Sequence, residues 1–557
     1  MSDPEDVWRR AYRHPTPWDI TFPPESMVAL FEGAAATHGP APLIEFLGRT
    51  YSYAETLDGA NRVAAGLAAL GYGPGDRIGL FLPNVPHYAA AYYGILKLGA
   101  TVVNFSPLYT AEELAHQVAD SGTRVLFTLS ATALLPTALE VLDTSALERL
   151  VVGSVAGALP AAKSLFYRLF RGREVAKRPD DARILAFSML IHNDGACPVP
   201  AIDPVADVAL IQYTGGTTGT PKGAMLTHWN LSANARQVAA LDPHPDAEDR
   251  VIGVLPLFHV FANTCVLNRT VVNGGCIVML PRFNAGQVLA AIGRTRATAL
   301  PGVPTMYQAL LDHPKIAETD FSHLRVCVSG GAPLPAELKA KFEAATGASV
   351  VEGYGLSESS GVISSNPYEA EGKPGTIGQP IPGTRVRLVD KEDPTRPPPP
   401  GEPGEIVAKG PQIMKGYWNR PDADARVFVQ GWLRTGDVGT IDADGFIRIV
   451  DRLKDMIAVG GFKVFPSQIE AVLYRHPAVK EALVIGLPDA YHGEMPRAYV
   501  TLADGAAVTG AELAAWLNPQ LGKHERVDSV VVREHLPKTM VGKLSRKDLI
   551  AEVLGAG

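Results

Sequence analysis

Apolar positions in the first hundred residues follow two alternating rhythms. Between residues 54 and 71, Leu57, Val63, Leu67 and Leu70 stand at helical spacing, and Gly73, Gly75 and Asp76 close the segment. Ile78, Gly79, Leu80, Phe81 and Leu82 then run without a polar break, which reads as a buried strand. Helical spacing returns over 86–98, and Thr101 to Asn104 form the next strand. Strands alternating with helices imply a parallel sheet covered on its faces. The rhythm recurs as strand 251–255, helix 286–296, strand 324–329 and helix 335–346. A further apolar run, Val208 to Ile211, leads into a polar loop. Met225, Leu226, Thr227 and His228 follow as a short strand, and 229–240 as a helix. No short-period repeat interrupts this order.

The pattern changes after Asp451-Arg452-Leu453-Lys454-Asp455. Helix 466–475, strands 480–487 and 496–502, helix 510–517 and strand 528–533 make a separate set. A chain of 557 residues exceeds one ordinary domain. The expectation is an α/β protein with a large N-terminal domain of parallel-rich αβ sheets, residues 1–450. A small mobile C-terminal α+β domain, 451–557, would follow a hinge near 451–455. The proline-rich stretch 391–404 lies between strands 385–389 and 405–408, so it reads as a surface loop and not a boundary.

Composition narrows the class. Hydrophobic residues at 46% and charged residues at 20% describe a soluble protein with a sizeable core. A net charge of −7 argues against nucleic acid as a partner. Cys197, Cys265, Cys276 and Cys327 have neither zinc-ligand nor disulfide spacing, and read as buried thiols in a reducing compartment. The first twenty residues are charged and broken by prolines, without the apolar core of a secretory signal. No run of about 18 uncharged apolar residues occurs, so a membrane-spanning helix is not expected. A cytoplasmic protein is the reading. Residues 160–178 add one qualification: Leu165, Phe166, Leu169 and Phe170 lie among Lys163, Arg168, Arg171, Arg173, Lys177 and Arg178. Such a segment can rest on the anionic inner face of a membrane. The commoner alternative, favoured here, is a surface helix with its apolar stripe in the core. No interface motif is legible, which leaves an oligomer open.

The loop after Val208–Ile211 carries the densest chemistry: Tyr213-Thr214-Gly215-Gly216-Thr217-Thr218-Gly219-Thr220-Pro221-Lys222-Gly223. Its glycines and proline exclude a helix. Its backbone N–H groups, threonine hydroxyls and Lys222 can converge on one anion, and a polyphosphate suits them. It is not a Walker A loop, because Lys222 follows Pro221 and precedes Gly223. A flexible linker is the alternative composition allows; the apolar runs on both sides argue against it.

Further motifs follow in order. They are Pro256-Leu257-Phe258-His259 at a strand end, and Ser329-Gly330-Gly331-Ala332-Pro333-Leu334 and Gly353-Tyr354-Gly355-Leu356-Ser357-Glu358-Ser359 as strand-to-helix turns. Then come Gly431-Trp432-Leu433-Arg434-Thr435-Gly436-Asp437 ahead of a strand, Asp451 to Ile457, Gly461 to Pro466, and Pro537 to Arg546. As an ordered set spanning about 25–550, these resemble the adenylate-forming superfamily of acyl-CoA synthetases, adenylation domains and luciferases. The wording YTGGTTGTPKGAMLTH and DRLKDMIAVGGFKVFP is most similar to bacterial long-chain fatty acyl-CoA synthetases.

The resemblance implies a two-step ligase. A carboxylate attacks the α-phosphate of ATP with Mg²⁺, giving acyl-AMP and pyrophosphate; coenzyme A then displaces AMP. It implies that Thr214, Gly215, Gly216, Thr217, Thr218, Gly219 and Lys222 grip the β- and γ-phosphates. Gly331, Ala332, Gly353, Tyr354 and Gly355 would belong to the nucleotide site, with the Tyr354 ring stacked on adenine; a packed core tyrosine is the alternative. Ser357, where most relatives carry Thr, would bond the α-phosphate. Glu358, with Thr217, would hold Mg²⁺, since one carboxylate plus phosphate oxygens suits that ion. Asp437 would accept from the ribose hydroxyls, supported by Arg452. Lys543 would neutralise the two reacting anions, alongside Glu358 and Lys222 in catalysis, whereas Lys538 and Arg546 are taken as surface or loop-setting groups. Lys454 matches the hinge, and Gly460-Gly461 the second face of the small domain. His259 would gate an acyl pocket that includes Val303, Met306 and Ala332, or simply be a satisfied core histidine. The pocket walls would come from 258–263, 302–307, 330–332 and 355–361. Within them no Arg or Lys announces a dicarboxylate, although Arg269 and Arg325 are close in sequence. The acid is expected to be aliphatic; an aryl, short or dicarboxylic acid, or transfer to a carrier protein, stands as the alternative.

Overall fold

The computed structural model describes residues 4–170, 174–198, 200–214, 221–460, 462–489, 491–538 and 544–555. Gly215, Gly216, Thr217, Thr218, Gly219, Gly461, Lys543, Arg171 and Arg173 therefore lie outside the described residues.

Among the described residues the strands form four sheets. The first runs in the order Gln379–Pro380, Ser364–Ser365, Ser349–Tyr354, Val326–Ser329, Ala299–Gly302, Arg250–Gly253, Cys276–Met279, Pro42–Phe46 and Arg49–Ser52. Its six central strands are parallel. The second runs Gly416–Tyr417, Lys222–Thr227, Val208–Thr214, Thr101–Asn104, Arg77–Leu80, Val125–Leu129, Arg149–Gly153 and Ile184–Ala186. It is parallel from Val208–Thr214 onward and antiparallel at its first two junctions. Fully buried strands such as Val125–Leu129 and Cys276–Met279 sit in these parallel parts, where both faces are covered. Helix entries are set by local chemistry. Ser52 with Glu55, Thr110 with Glu113 and Thr227 with Asn230 each form a reciprocal cap that satisfies backbone donors the first turn leaves open.

The third sheet, Arg385–Val389, Gly404–Lys409, Trp432–Ile441, Phe428–Val429 and Ile447–Arg452, is antiparallel throughout. Segment 391–404 is the loop joining the first two of these. The Gly431–Asp437 motif does not precede a strand; it runs inside Trp432–Ile441. The Gly353–Ser359 motif likewise leads not into a long helix but into one 3₁₀ turn, Ser357–Ser359, after which the chain returns antiparallel as Ser364–Ser365. The fold class is α/β, with a large sheet-rich N-terminal part and a smaller C-terminal domain. The latter has its own sheet, Phe462–Val464, Ile457–Val459, Gly493–Leu502 and Val479–Asp489, with Val530–Val532 parallel to Gly493–Leu502. It encloses a separate apolar core around Val464, Ile469, Val484, Val500 and Leu513.

Two smaller expectations change. Three cysteines are buried, but Cys197 is half-exposed. The helix within 160–178 covers only Ala161–Phe170, and Leu165, Phe166 and Phe170 are 61%, 60% and 68% exposed. Their apolar faces point to the surface and not into the core, so the favoured core-packed reading does not hold. The Phe166 and Phe170 rings pack against each other at 4.4 Å between centroids, tilted by 31°. No described helix is long and apolar enough to cross a membrane.

Candidate active site

Strand pairing places the ends of the phosphate-type loop. Val208–Thr214 and Lys222–Thr227 are antiparallel neighbours with Thr214 opposite Lys222. The strands on either side of residues 215–220 are therefore hairpin partners near one end of the second sheet, and these paired flanks argue against a linker. Tyr213 is anchored at its base by a 2.7 Å hydrogen bond from its hydroxyl to Asp120.

Ser349–Tyr354 carries the next motif. The backbone of Gly355 passes so close to its own chain that a β-carbon would meet the Gly361 carbonyl oxygen at 2.0 Å. Only glycine lets the motif fold back there. Tyr354 leaves this strand and donates its hydroxyl to Asp437 Oδ2 at 2.5 Å. Asp437 Oδ1 pairs with Arg452 Nε at 3.0 Å. Asp437 and Arg452 are register partners on Trp432–Ile441 and Ile447–Arg452, so sheet pairing brings the carboxylate and guanidinium together. Burial, then the adjacent Asp437 carboxylate, holds the Tyr354 phenol well above its ordinary value. The same carboxylate raises Arg452. The trio holds an acceptor in a fixed orientation where Asp437 is only 2% exposed.

Glu358 sits on the 3₁₀ turn, its Oε1 accepting from the Tyr417 hydroxyl at 2.6 Å. Lys222 Nζ stands 5.2 Å from the centroid of the same Tyr417 ring. Sequence reasoning missed Tyr417 altogether; its one signal is the Gly416-Tyr417-Trp418 step, a glycine beside two aromatics in a polar stretch.

The four expected wall segments of an acyl pocket come together. Gly330 donates its N–H to the Gly302 carbonyl at 3.1 Å. A β-carbon at Gly330 would touch the Phe261 ring at 2.9 Å. The Thr264 hydroxyl donates to the Ser360 carbonyl at 2.5 Å. His259 caps the short helix Val260–Ala262, its Nδ1 accepting from Phe261 N at 3.2 Å. Val303 is buried at the entry of Pro304–Leu311, and Ala332 is half-buried. Asn263–Asn268 is a π-helical stretch, an irregularity that often marks functional sites. Arg269 and Arg325 are spent elsewhere: Arg269 pairs with Asp249 and Asp242, and Arg325 with Asp242.

At the junction of the third and fourth sheets, Lys454 lies in the turn after Ile447–Arg452. Asp455 in that turn pairs with Arg546 at 3.1 Å, and Arg546 also reaches Glu470 at 2.6 Å. Lys538 pairs with Glu481 at 2.5 Å, and Lys538 bridges to Leu544 across the segment that contains Lys543.

Two family models match the chain. The AMP-binding enzyme model covers residues 31–418, and the AMP-binding enzyme C-terminal domain model covers 468–543. A long-chain-fatty-acid–CoA ligase of Bacillus subtilis is 39% identical over 98% of this chain and 98% of its own length. A feruloyl-CoA synthase of Amycolatopsis is 38% identical over 90% of this chain and 94% of its own. The crystal structure of ATP-bound MatB from Rhodopseudomonas palustris superposes with a TM-score of 0.82 at 30% identity, covering 94% of this chain and 98% of that one. With the matching model spanning most of its length and the motifs gathered around one site, the chain belongs to the AMP-binding enzyme family.

Proposed function

We propose that this chain is an AMP-forming acid–thiol ligase that activates a long- or medium-chain fatty acid with ATP and transfers the acyl group to coenzyme A. The observation that carries the reading is the end-to-end similarity to a long-chain-fatty-acid–CoA ligase. The paired placement of Asp437 with Tyr354 and of Glu358 beside Lys222 supports it. In this reading Thr214, Lys222 and the loop 215–220 take the β- and γ-phosphates. Tyr354 and the glycines Gly331, Gly353 and Gly355, with Ala332, take adenine. Asp437 and Arg452 take the ribose, and Ser357 the α-phosphate. Catalysis of nucleotidyl transfer is then mostly positioning and charge stabilisation. Lys543 bridges the incoming carboxylate and the α-phosphate, while Lys222 stays at the pyrophosphate end.

The donor chemistry around Glu358 fits Mg²⁺ arriving on a polyphosphate. Among the described residues no group of three or more His, Cys, Asp or Glu stands together to cage an ion. One hard carboxylate with phosphate oxygens is the arrangement Mg²⁺ takes in nucleotide sites. When bound, the ion would neutralise charge between phosphate oxygens; Glu358, with Thr217, would hold it.

Residues 1–450 are read as the adenylation domain and 451–557 as the mobile domain, turning about Lys454 to bring Gly460-Gly461 forward for the thioester step. The Arg546 contacts with Asp455 and Glu470 are the ties that set the hinge turn. The exposed Leu165, Phe166 and Phe170, flanked by basic residues, are read as resting on an anionic membrane from which the acid is drawn. His259, Val303 and Ala332 line the acyl entrance.

A second acid class is favoured by one observation, the 38% identity to a feruloyl-CoA synthase. ATP–pyrophosphate exchange across aliphatic, aryl and dicarboxylic acids separates the two. Exchange strongest with acids of about ten or more carbons is expected. Activity confined to aryl or dicarboxylic acids would overturn the fatty-acid assignment, and product with a carrier protein but not coenzyme A would overturn the ligase.

A further inference from the structure

Residues 414–420 form a strap across the outer edge of the second sheet, and nothing above gives it a role. Gly416–Tyr417 pairs antiparallel with Lys222–Thr227, placing Tyr417 opposite Ala224. Lys415 N donates to the Met225 carbonyl at 2.9 Å and Trp418 N to the Gly223 carbonyl at 2.8 Å. The strap thus continues the hairpin whose tip is the anion loop. Its first residue turns the other way: Met414 N donates to the Glu358 carbonyl at 2.8 Å. Its far end is tied to the loop's base through Asp120. That residue's carbonyl accepts from Trp418 Nε1 at 3.0 Å, and its carboxylate pairs with Arg420 at 2.5 Å and with Tyr213.

Tyr417 occupies the middle of this strap and is 7% exposed. Its hydroxyl donates to Glu358 Oε1, and its ring face receives the Lys222 ammonium. Its own N–H is fixed by Asp424 Oδ1 at 2.7 Å. One rigid side chain therefore touches both an anion and a cation that belong to different segments. A charge-assisted hydrogen bond on Oε1 fixes the plane of the Glu358 carboxylate, and Oε2 makes no hydrogen bond or ion pair among the described residues. The ring offers Lys222 a favourable face while leaving its N–H donors able to turn outward.

We infer that Tyr417 is a positioning residue that aims the Glu358 carboxylate and the Lys222 ammonium together at the metal-bearing polyphosphate end of ATP. The inference rests on the reading of Glu358 and Lys222 given above. It also explains why two groups from a turn and a hairpin need no direct bond to each other: both are referenced to the same ring.

The test is calorimetric titration of the full chain with ATP, in Mg²⁺ and in EDTA, without acid or coenzyme A. Tyr417→Phe keeps the ring and loses the donor. It should weaken binding in Mg²⁺ about tenfold and leave binding in EDTA within about twofold. Tyr417→Leu loses the ring as well and should weaken both. If Tyr417 acts through Glu358, the double variant Y417F/E358Q should bind no more weakly in Mg²⁺ than E358Q alone. Loss of the Mg²⁺-dependent part in E358Q but not in Y417F would overturn the inference and leave the functional reading standing. An unchanged Mg²⁺ dependence in E358Q would overturn the role of Glu358, and the inference with it. Thermal melts monitor folding. Should Y417F fail to fold, 3-fluorotyrosine placed at position 417 keeps the volume and makes the hydroxyl a stronger donor, and an unaltered Mg²⁺-dependent affinity would then overturn the inference.

Discussion

Asp437 is held at both carboxylate oxygens, by Tyr354 on one side and Arg452 on the other. A nearly buried carboxylate tied at both oxygens cannot rotate, so whatever it receives must come to a fixed acceptor. Tyr354→Phe removes one of the two restraints from a nearly buried charge. A hydrogen bond to a charged group contributes about 1.5–3 kcal/mol, so a destabilisation of that size is expected in denaturant unfolding, with weaker ATP binding by titration. Unchanged stability would mean that Arg452 alone suffices. Lys543 calls for a different experiment, because its assigned work is confined to one half-reaction. Lys543→Ala should lower acyl-adenylate formation by about a hundredfold or more, in keeping with the loss of a preorganised charge at the reacting centre, yet spare thioester formation from supplied acyl-AMP. Equal loss of both steps would remove it from that role.

At the scale of elements, the site is built where sheets meet. Thr214 and Lys222 face each other on a hairpin near one end of the second sheet; Tyr354 ends the last parallel strand of the first and Glu358 follows it; Asp437 and Arg452 are register partners in the third. The strands fix these positions by register, and of the six only Glu358 stands on a turn. The helix Ala161–Phe170 stands apart from this arrangement, with three large apolar side chains uncovered. Replacing Leu165, Phe166 and Phe170 together with Ser should reduce cosedimentation with anionic vesicles more than tenfold, since each buried apolar side chain contributes about 1.5–3 kcal/mol. Activity on a soluble short-chain acid should be spared. Vesicle binding equal to that of the parent chain would end the membrane reading.

The whole molecule buries several groups in the protonation state they do not hold in water. Burial lowers His14, His87 and His228 from 6.5 to about 4 each. Burial raises Glu352 from 4.5 to about 8, offset in part by the hydrogen bond it accepts from Leu334 N. The unfolded chain takes up the three histidine protons first, as pH falls below 6.5, so these residues cost stability from there down to about 4. Glu352 acts oppositely: the fold keeps its proton, and that advantage fades as pH rises from 4.5 to about 8. Between 6.5 and 8 only Glu352 among the four titrates in this way. Denaturation midpoints should therefore fall on both sides of about pH 6.5, and Glu352→Gln should flatten the alkaline side while steepening the fall on the acid side. A fall between pH 6.5 and 8 that is the same in parent and variant would show that Glu352 is already ionised in the fold.

Much of this was readable in the residue string. Apolar runs such as Ile78 to Leu82 and helical spacing such as Leu57, Val63 and Leu67 are local consequences of burial, and they gave the strand–helix order. Glycine-rich and hydroxyl-rich motifs are equally local, because a turn that passes its own backbone at Gly355 tolerates no side chain. Hence the family could be recognised from short words alone. The antiparallel third sheet was not readable, since hairpin and crossover partners differ by which distant strand they meet. Nor was the exposure of Phe166 and Phe170, as an amphipathic stripe looks the same whether protein or solvent lies beside it. Least visible was Tyr417, which no charge or spacing marks out. Its place between Glu358 and Lys222 exists only once a turn, a hairpin and an edge strand, separated along the chain, are brought to one point by hydrogen bonding and packing.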